Sequence, residues 1–336
     1  MMQDIGVLGA GSWGTALAVH LARTGHHVRL WAREAEVVDQ MRVHRENRIF
    51  LPGIPLPPAI EPCDDFRAAL PGTGVVLVAV PSHGIRAVLH AAAPSLPPSA
   101  VIVSATKGLE PGTLLRASQV AAEVVGPDRP VVVLSGPSFA LEVARELPTV
   151  VCAASSDRAA AERVQAEFRG RFFRIYTTPD VIGVEIGAAL KNVIAIAAGV
   201  VEGLGLGHNA MAGLITRGLA EIARLAGALG ARRETLAGLA GLGDLVLTCT
   251  GSLSRNRQVG VELGRGRSLD EILGGMKMVA EGVQTTASAL ALGARVGVEL
   301  PIAAQMADVL SGRQTPRAAV EELMLRPQKG ELEGRW

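Results

Sequence analysis

DIGVLGAGSWGTALAVHLARTGHHVRLW, residues 4–31, decides the fold. DIGVL is an apolar strand candidate, and GAGSWG sets Gly9, Gly11 and Gly14 in the GxGxxG spacing. TALAVHLARTG then repeats its apolar positions at helical spacing up to Gly25, and HVRLW at 27–31 reads as the next strand. Strand, glycine turn, helix and strand within about 30 residues make one βαβ unit. In such a turn the first glycine permits the tight bend and the second lets the backbone approach a pyrophosphate. The third lets the helix pack closely on the strand, and the helix N-terminus faces the anion. The spacing alone is a weak signal in a chain with 39 glycines; its place between the first strand and the first helix makes it a dinucleotide-binding signature.

Further apolar runs at 75–81, 101–106, 131–137 and 149–155 read as strands buried on both faces, separated by helix-compatible stretches. Such strands belong to a parallel sheet covered by helices, so the expected class is α/β with a Rossmann-like, doubly wound sheet. The proline-dense FLPGIPLPPAIEP, residues 50–62, reads as an ordered loop. Near residue 180 the texture changes to Ala-, Leu- and Gly-rich helical segments without a convincing strand. This predicts a dinucleotide-binding domain over 1–180 and an all-helical domain over 181–336 that carries substrate and catalysis. The helical candidates are 182–203, 209–229, 232–239, 254–265, 268–273, 281–296, 299–311 and 315–324.

The second strand ends at LWAREAE, with Arg33 where an NAD-preferring site usually puts an acid for the ribose hydroxyls. Arginine suits a 2′-phosphate, so NADP(H) is favoured, with NAD(H) as the alternative if Glu34 serves the ribose. Composition agrees with a globular enzyme: 336 residues, 49% hydrophobic, net charge +1 and 3% aromatic leave neither a polyanion-binding surface nor a base-stacking platform, so no nucleic-acid partner is expected. Cys63, Cys152 and Cys249 are far apart and odd in number, which points to no disulfide framework and no metal site. The N-terminus lacks a signal-peptide pattern and Lys191 and Glu202 break the longest apolar run, so no membrane span is expected and the location is read as cytoplasmic.

That run is EIGAALKNVIAIAAGVVEGLGLG, residues 185–207. Lys191 shares its helical face with Val184, Ala188, Ala195 and Ala198. A rim lysine would snorkel into water. A buried one would have its pKa lowered from about 10.4, by up to roughly 3 to 5 pH units, which makes lysine a usable proton donor near neutrality. Lys107 starts a loop at the carboxyl end of a strand, where doubly wound sheets bind ligands; a solvated lysine is the plainer reading. GPSFA misses the GxSxG nucleophile elbow because Ala140 stands last, and a serine hydrolase is rejected. In GLGDLVLTCTGSLSRNRQVG, residues 241–260, Asp244 and Thr248 lie four apart on one helix face. Arg255 and Asn256 could grip a phosphate or carboxylate, although Ser254 as the N-cap of an ordinary solvated helix explains the same residues.

Together GAGSWGTALA, NRIFLPGIPLP, VAVPSHGIR, SATKGLE, LSGPSFALEVA, the lysine segment, LAGLGDLVLTCTGSLSRNRQVG and MVAEGVQTT resemble the bacterial-type NAD(P)-dependent glycerol-3-phosphate dehydrogenases over almost the whole chain. The resemblance implies a C-terminal all-α domain related to that of 6-phosphogluconate dehydrogenase. It implies a cofactor held by the turn at Ser12 and Trp13 and by Arg33, Ala140, Val279 and Glu281, with Lys107 and Arg255 also near it and Phe50 at the nicotinamide end. Glycerol phosphate would lie at Lys107, Gly136, Ser138, Lys191, Asp244, Ser254, Arg255 and Asn256. Lys191 would be the catalytic acid/base, with Asp244, Lys107, Thr248 and Asn192 lining the site. The implied reaction is reversible reduction of dihydroxyacetone phosphate to sn-glycerol 3-phosphate, which supplies the backbone of glycerophospholipids. The partner is then a small-molecule substrate, with a homodimer left open. Two other readings are a β-hydroxyacid dehydrogenase of the same architecture, which the SRNR cluster argues against, and a non-catalytic NADP(H) sensor. The sensor gives no reason for Lys107, Lys191, Asp244 and Arg255 to occur together.

Overall fold

The structure, a computed structural model, describes residues 3–276, 280–328 and 330–331. Eight strands form one sheet: β1 (Asp4–Leu8), β2 (His27–Trp31), β3 (Ile60–Cys63), β4 (Val75–Val78), β5 (Val101–Ser104), β6 (Val131–Ser135), β7 (Thr149–Ala154) and β8 (Phe173–Thr178), in the order β3-β2-β1-β4-β5-β6-β7-β8. The interleaved helices are α1 (Ser12–Arg23), α2 (Ala35–His44), α3 (Phe66–Ala69), α4 (Ile85–Ala92), α5 (Ala117–Val125), α6 (Ala140–Ala144) and α7 (Arg158–Phe168). The first six strands follow the Rossmann order, which reverses direction beside β1, where such sheets bind nucleotides. The central strands are apolar on both faces because two separate clusters cover them. One is built on Leu17, Leu21 and Phe168, the other on Leu70, Ile85 and Leu89.

Two expectations need correction. The run at 149–155 does not join a wholly parallel sheet, since β7 runs antiparallel to β6 while every other neighbouring pair is parallel. Between Ser135 and Thr149 the only helix is the five-residue α6, about 7 Å long, too short to carry the chain back along a strand of about 16 Å. Residues 50–62 are not all loop, because Ile60–Cys63 pairs with β2. Pro62 is tolerated there because β3 is the edge of the sheet. β8 is a strand the sequence reading did not single out: its alternation of buried Phe173 and Ile175 with exposed Arg174 and Tyr176 marks the opposite edge strand.

Beyond β8 the described chain is helical: α8 (Val181–Gly203), α9 (Gly207–Ala228), α10 (Arg233–Leu236), α11 (Asp244–Thr250), α12 (Arg255–Gly264), α13 (Leu269–Gly274), α14 (Glu281–Arg295), α15 (Pro301–Leu310) and α16 (Pro316–Met324). Asp180 caps α8 by accepting the Gly183 N–H at 2.9 Å. α8 is long and apolar enough to cross a membrane, yet 89% of its most apolar window is buried inside the protein. It is the central post of the helical lobe, and its widest contact is with α12. Gly199 and Gly203 of α8 face Gly260 and Gly264 of α12, and any Cβ at these four positions would run into the opposing main chain. The two backbones therefore touch, which fixes the start of α12 relative to Lys191.

Candidate active site

The glycine turn comes first in the chain. Gly9 has φ +112°, and a Cβ there would lie 2.6 Å from the Ala79 carbonyl oxygen; one on Gly14 would overlap the Gly9 carbonyl. Gly11 differs: a Cβ would meet nothing within 4 Å, so it would project into the open space in front of the α1 N-terminus. Bare main chain facing that space at a helix N-terminus fits a pyrophosphate. Ser12 Oγ donates to the Phe50 carbonyl at 2.6 Å, and the buried Trp13 indole N–H has no partner among the described residues. The turn is braced by Asn47, which donates to the Ala10 carbonyl at 2.8 Å and to Thr15 Oγ1 at 2.9 Å. Asn47 was not singled out from the sequence, because its partners lie 32 and 37 residues away. At the end of β2, Arg33 is exposed, with Nε and Nη2 donating to Glu34 Oε1 at 2.9 and 2.6 Å.

Lys191 is 5% exposed, in the middle of α8. Its Nζ donates to Asp244 Oδ1 at 2.5 Å and to Thr248 Oγ1 at 2.9 Å, and the Thr248 hydroxyl donates to the Asp244 carbonyl at 2.6 Å. Lys107, in the loop after β5, donates to Asp244 Oδ2 at 3.0 Å. One buried carboxylate therefore holds two ammonium groups, one from each half of the chain. Burial pulls the Lys191 pKa down to about 8, more strongly than the Asp244 charge lifts it, and Lys107 lowers it further. Asn192, the next residue, is also buried.

Ser254 is the N-cap of α12 and accepts the Arg257 N–H at 3.2 Å. Asn256 Oδ1 accepts the Gly282 N–H at 2.9 Å, which leaves its amide N–H donors for another partner. Arg255 makes no hydrogen bond or ion pair with the described residues, and its charge acts on Glu281 at the start of α14, as do those of Lys107 and Lys191. Burial nevertheless pushes the Glu281 carboxyl above its ordinary value. Gly136 (φ +143°) lies against the Val151 main chain, Ser138 Oγ donates to the Gly136 carbonyl at 2.8 Å, and Ala140 opens α6. Val279 lies outside the described residues. Thus Lys107, Lys191, Asp244 and Thr248 are joined by direct bonds, whereas Arg33, Phe50 and the glycine turn form a separate group at the carboxyl ends of β1 and β2.

A dinucleotide turn on a Rossmann-type sheet, set against a helical lobe that buries a lysine of lowered pKa, defines the class of two-lobed nicotinamide-dependent dehydrogenases. Residues 4–161 match the model of the NAD-dependent glycerol-3-phosphate dehydrogenase N-terminus and residues 180–321 that of its C-terminus. The chain belongs to this family. It is 55% identical over 276 residues to the glycerol-3-phosphate dehydrogenase [NAD(P)+] of Geobacter sp. strain M21, covering 82% of each chain. It is 57% identical over 279 residues to that of Acidobacterium capsulatum, covering 81% of this chain and 82% of the other. The crystal structure of glycerol-3-phosphate dehydrogenase from Coxiella burnetii superposes with a TM-score of 0.93 at 42% identity, covering 97% of this chain and 99% of the other.

Proposed function

We propose that this chain catalyses the reversible reduction of dihydroxyacetone phosphate to sn-glycerol 3-phosphate with NADP(H) favoured over NAD(H), and that it acts in the cytoplasm to supply glycerophospholipid synthesis. The observation that carries the reaction is the buried Lys191–Asp244–Lys107 cluster, which combines a lowered lysine pKa with a carboxylate that holds the amine in place. A bound nicotinamide supplies the hydride. Reduction of a ketone leaves negative charge on its oxygen, and Lys191 Nζ stabilises that charge and donates the proton. Thr248, bonded to the same amine, fixes its direction. Asp244 keeps the ammonium charged against its burial, and in the oxidation direction the neutral amine takes the proton back.

Arg255 and the free N–H donors of Asn256 hold the substrate phosphate at the start of α12, assisted by Ser254, so binding energy remote from the carbonyl orients the reacting carbon. Gly136, Ser138 and Lys107 form the opposite wall. Ser12, Trp13 and the glycines hold the cofactor pyrophosphate, while Phe50, Ala140 and Glu281 line the rest of the cofactor path. Arg33, exposed at the end of β2, is placed to exchange its Glu34 partner for a 2′-phosphate, and this placement is the support for NADP(H). The test is a spectrophotometric assay of NADPH and NADH oxidation with dihydroxyacetone phosphate, and of NADP+ and NAD+ reduction with sn-glycerol 3-phosphate, 6-phosphogluconate and 3-hydroxyisobutyrate. Turnover of the triose phosphate, faster with NADPH, is expected; turnover of the carboxylates alone overturns the proposal.

A further inference from the structure

The pairing of Lys191 with Asp244 repeats, one helical turn earlier, as a contact between main chains. Gly187 precedes Lys191 by four residues on α8, and Ala240 precedes Asp244 by four in the π-helical turn Leu239–Gly243 that leads into α11. The Ala240 carbonyl lies so close to Gly187 that a Cβ there would sit 2.7 Å from its oxygen, and the Leu236 side chain closes the same space at 3.3 Å. On its other side Ala240 packs against the sheet in a buried cluster with Val133, Ala154 and Val184, against which Cys152 of β7 also packs. The Ala240 peptide is therefore held between α8 and the sheet. Gly241 keeps the wide turn intact, because any Cβ there would overlap the Leu236 main chain. π-Helical turns inside helices recur at functional sites because the wider backbone re-aims the residues that follow.

We propose that Gly187 is a positioning residue for the reaction: its bare face on one side and the packing of Ala240 against Cys152 on the other clamp the Ala240 peptide, and this clamp sets the 2.5 Å approach of Asp244 to Lys191. The inference rests on the reading of Lys191 as the proton donor. A methyl group at residue 187 must push the Ala240 carbonyl away by several tenths of an ångström, since helix backbones in a packed core do not interpenetrate. Asp244 follows, and Lys191 loses part of the attraction that opposes its burial. The other groups whose charge reaches Lys191 are Lys107 after β5, Cys249 on α11 and Glu281 on α14; Lys107 and Glu281 lie on elements separate from the clamp, and burial pushes the Cys249 thiol up, so it carries no charge near pH 8.

The experiment compares pH profiles of kcat for triose phosphate reduction in the wild type, Gly187→Ala, Cys152→Ala, Cys152→Ser and Gly293→Ala. Gly293→Ala is the structural control, because its Cβ also strikes main chain, at 2.8 Å from the Val298 carbonyl oxygen, but near the far end of α14 and on none of the elements that carry the cluster. Expected are an alkaline limb shifted down by about one pH unit in Gly187→Ala, a smaller shift the same way in Cys152→Ala, a restored limb in Cys152→Ser and an unmoved limb in Gly293→Ala, with KM values within about twofold throughout. A wild-type profile with no limb near pH 8 sinks the Lys191 reading itself. A normal wild-type limb with unmoved limbs in Gly187→Ala and Cys152→Ala overturns the clamp alone. If Gly187→Ala does not fold, the two Cys152 variants decide.

Discussion

Lys191 remains an ammonium at neutral pH because Asp244 partly offsets its burial, which leaves its pKa at about 8. In the reduction direction the protonated amine is required, so kcat should be flat below pH 8 and fall about tenfold per pH unit above it. In the oxidation direction the neutral amine is required and the rate should rise through the same pH. A pair of initial-rate profiles checks both signs. A common limb of the same sign in both directions would point away from a single acid/base. For stability the folded chain binds fewer protons than the unfolded one between about pH 8 and 10.5, so this group favours folding more as pH rises across that window. Lys191→Ala should retain NADPH binding and lose about 10²–10⁴-fold in turnover, read by fluorescence titration alongside kinetics. Arg255→Ala removes a charged donor that no described side chain occupies, and the KM for dihydroxyacetone phosphate should rise about 10- to 100-fold, since a hydrogen bond to a charged group is worth about 1.5–3 kcal/mol. Lys191 was visible in the sequence as a lone charge in an apolar run. The carboxylate it meets lies 53 residues away and leaves no local trace, so that pairing came only from resemblance.

At the scale of elements, the first turn separates two uses of glycine that the GxGxxG pattern cannot distinguish by itself. Gly14→Ala should lower Tm by several degrees, because its Cβ overlaps the Gly9 carbonyl and overpacking costs about 1–3 kcal/mol. Gly11→Ala should leave Tm unchanged and raise the cofactor KM at least about tenfold, because its Cβ fills only the approach to the helix N-terminus. Thermal unfolding and NADPH titration of both variants check the contrast, and equal Tm losses would mean that Gly11 also serves packing. What was legible here followed from periodicity: strands apolar on both faces and amphipathic helices read correctly as α/β with a helical C-terminal lobe. β3 was hidden by Pro62, and β8 because its alternation spans only six residues. The antiparallel direction of β7 depends on how far a short helix can reach, and the turn at Leu239–Gly243 on a backbone approach to Gly187. Neither is encoded in hydrophobic period.

At the scale of the whole molecule, two ion pairs among the described residues join the sheet-bearing half to the helical lobe, and they differ in task. Lys107–Asp244 lies in the candidate site, whereas Arg116–Glu185 lies near the start of α8, two turns before Lys191. Glu185 is buried and accepts from Arg116 Nη1 at 2.6 Å, from the Ser118 N–H at 2.8 Å and from Ser118 Oγ at 2.6 Å. It fastens the N-terminus of α5 to the post of the helical lobe. Removing one member of a buried pair strands the other charge and costs about 3–5 kcal/mol, but two bonds from Ser118 remain here, so a loss of about 1–3 kcal/mol is the reasonable scale. Arg116→Met should therefore lower Tm by roughly 2–8 °C. Because the pair touches none of the proposed substrate or cofactor contacts, both KM values should stay within about twofold. Arg116→Met combined with Glu185→Leu removes both charges and should recover much of the lost Tm, since apolar replacement of a buried pair is often neutral. Calorimetry of the two variants with steady-state kinetics decides the matter. A Tm loss that deepens in the double variant would show that the charges themselves, rather than the stranding of one, hold the two lobes together.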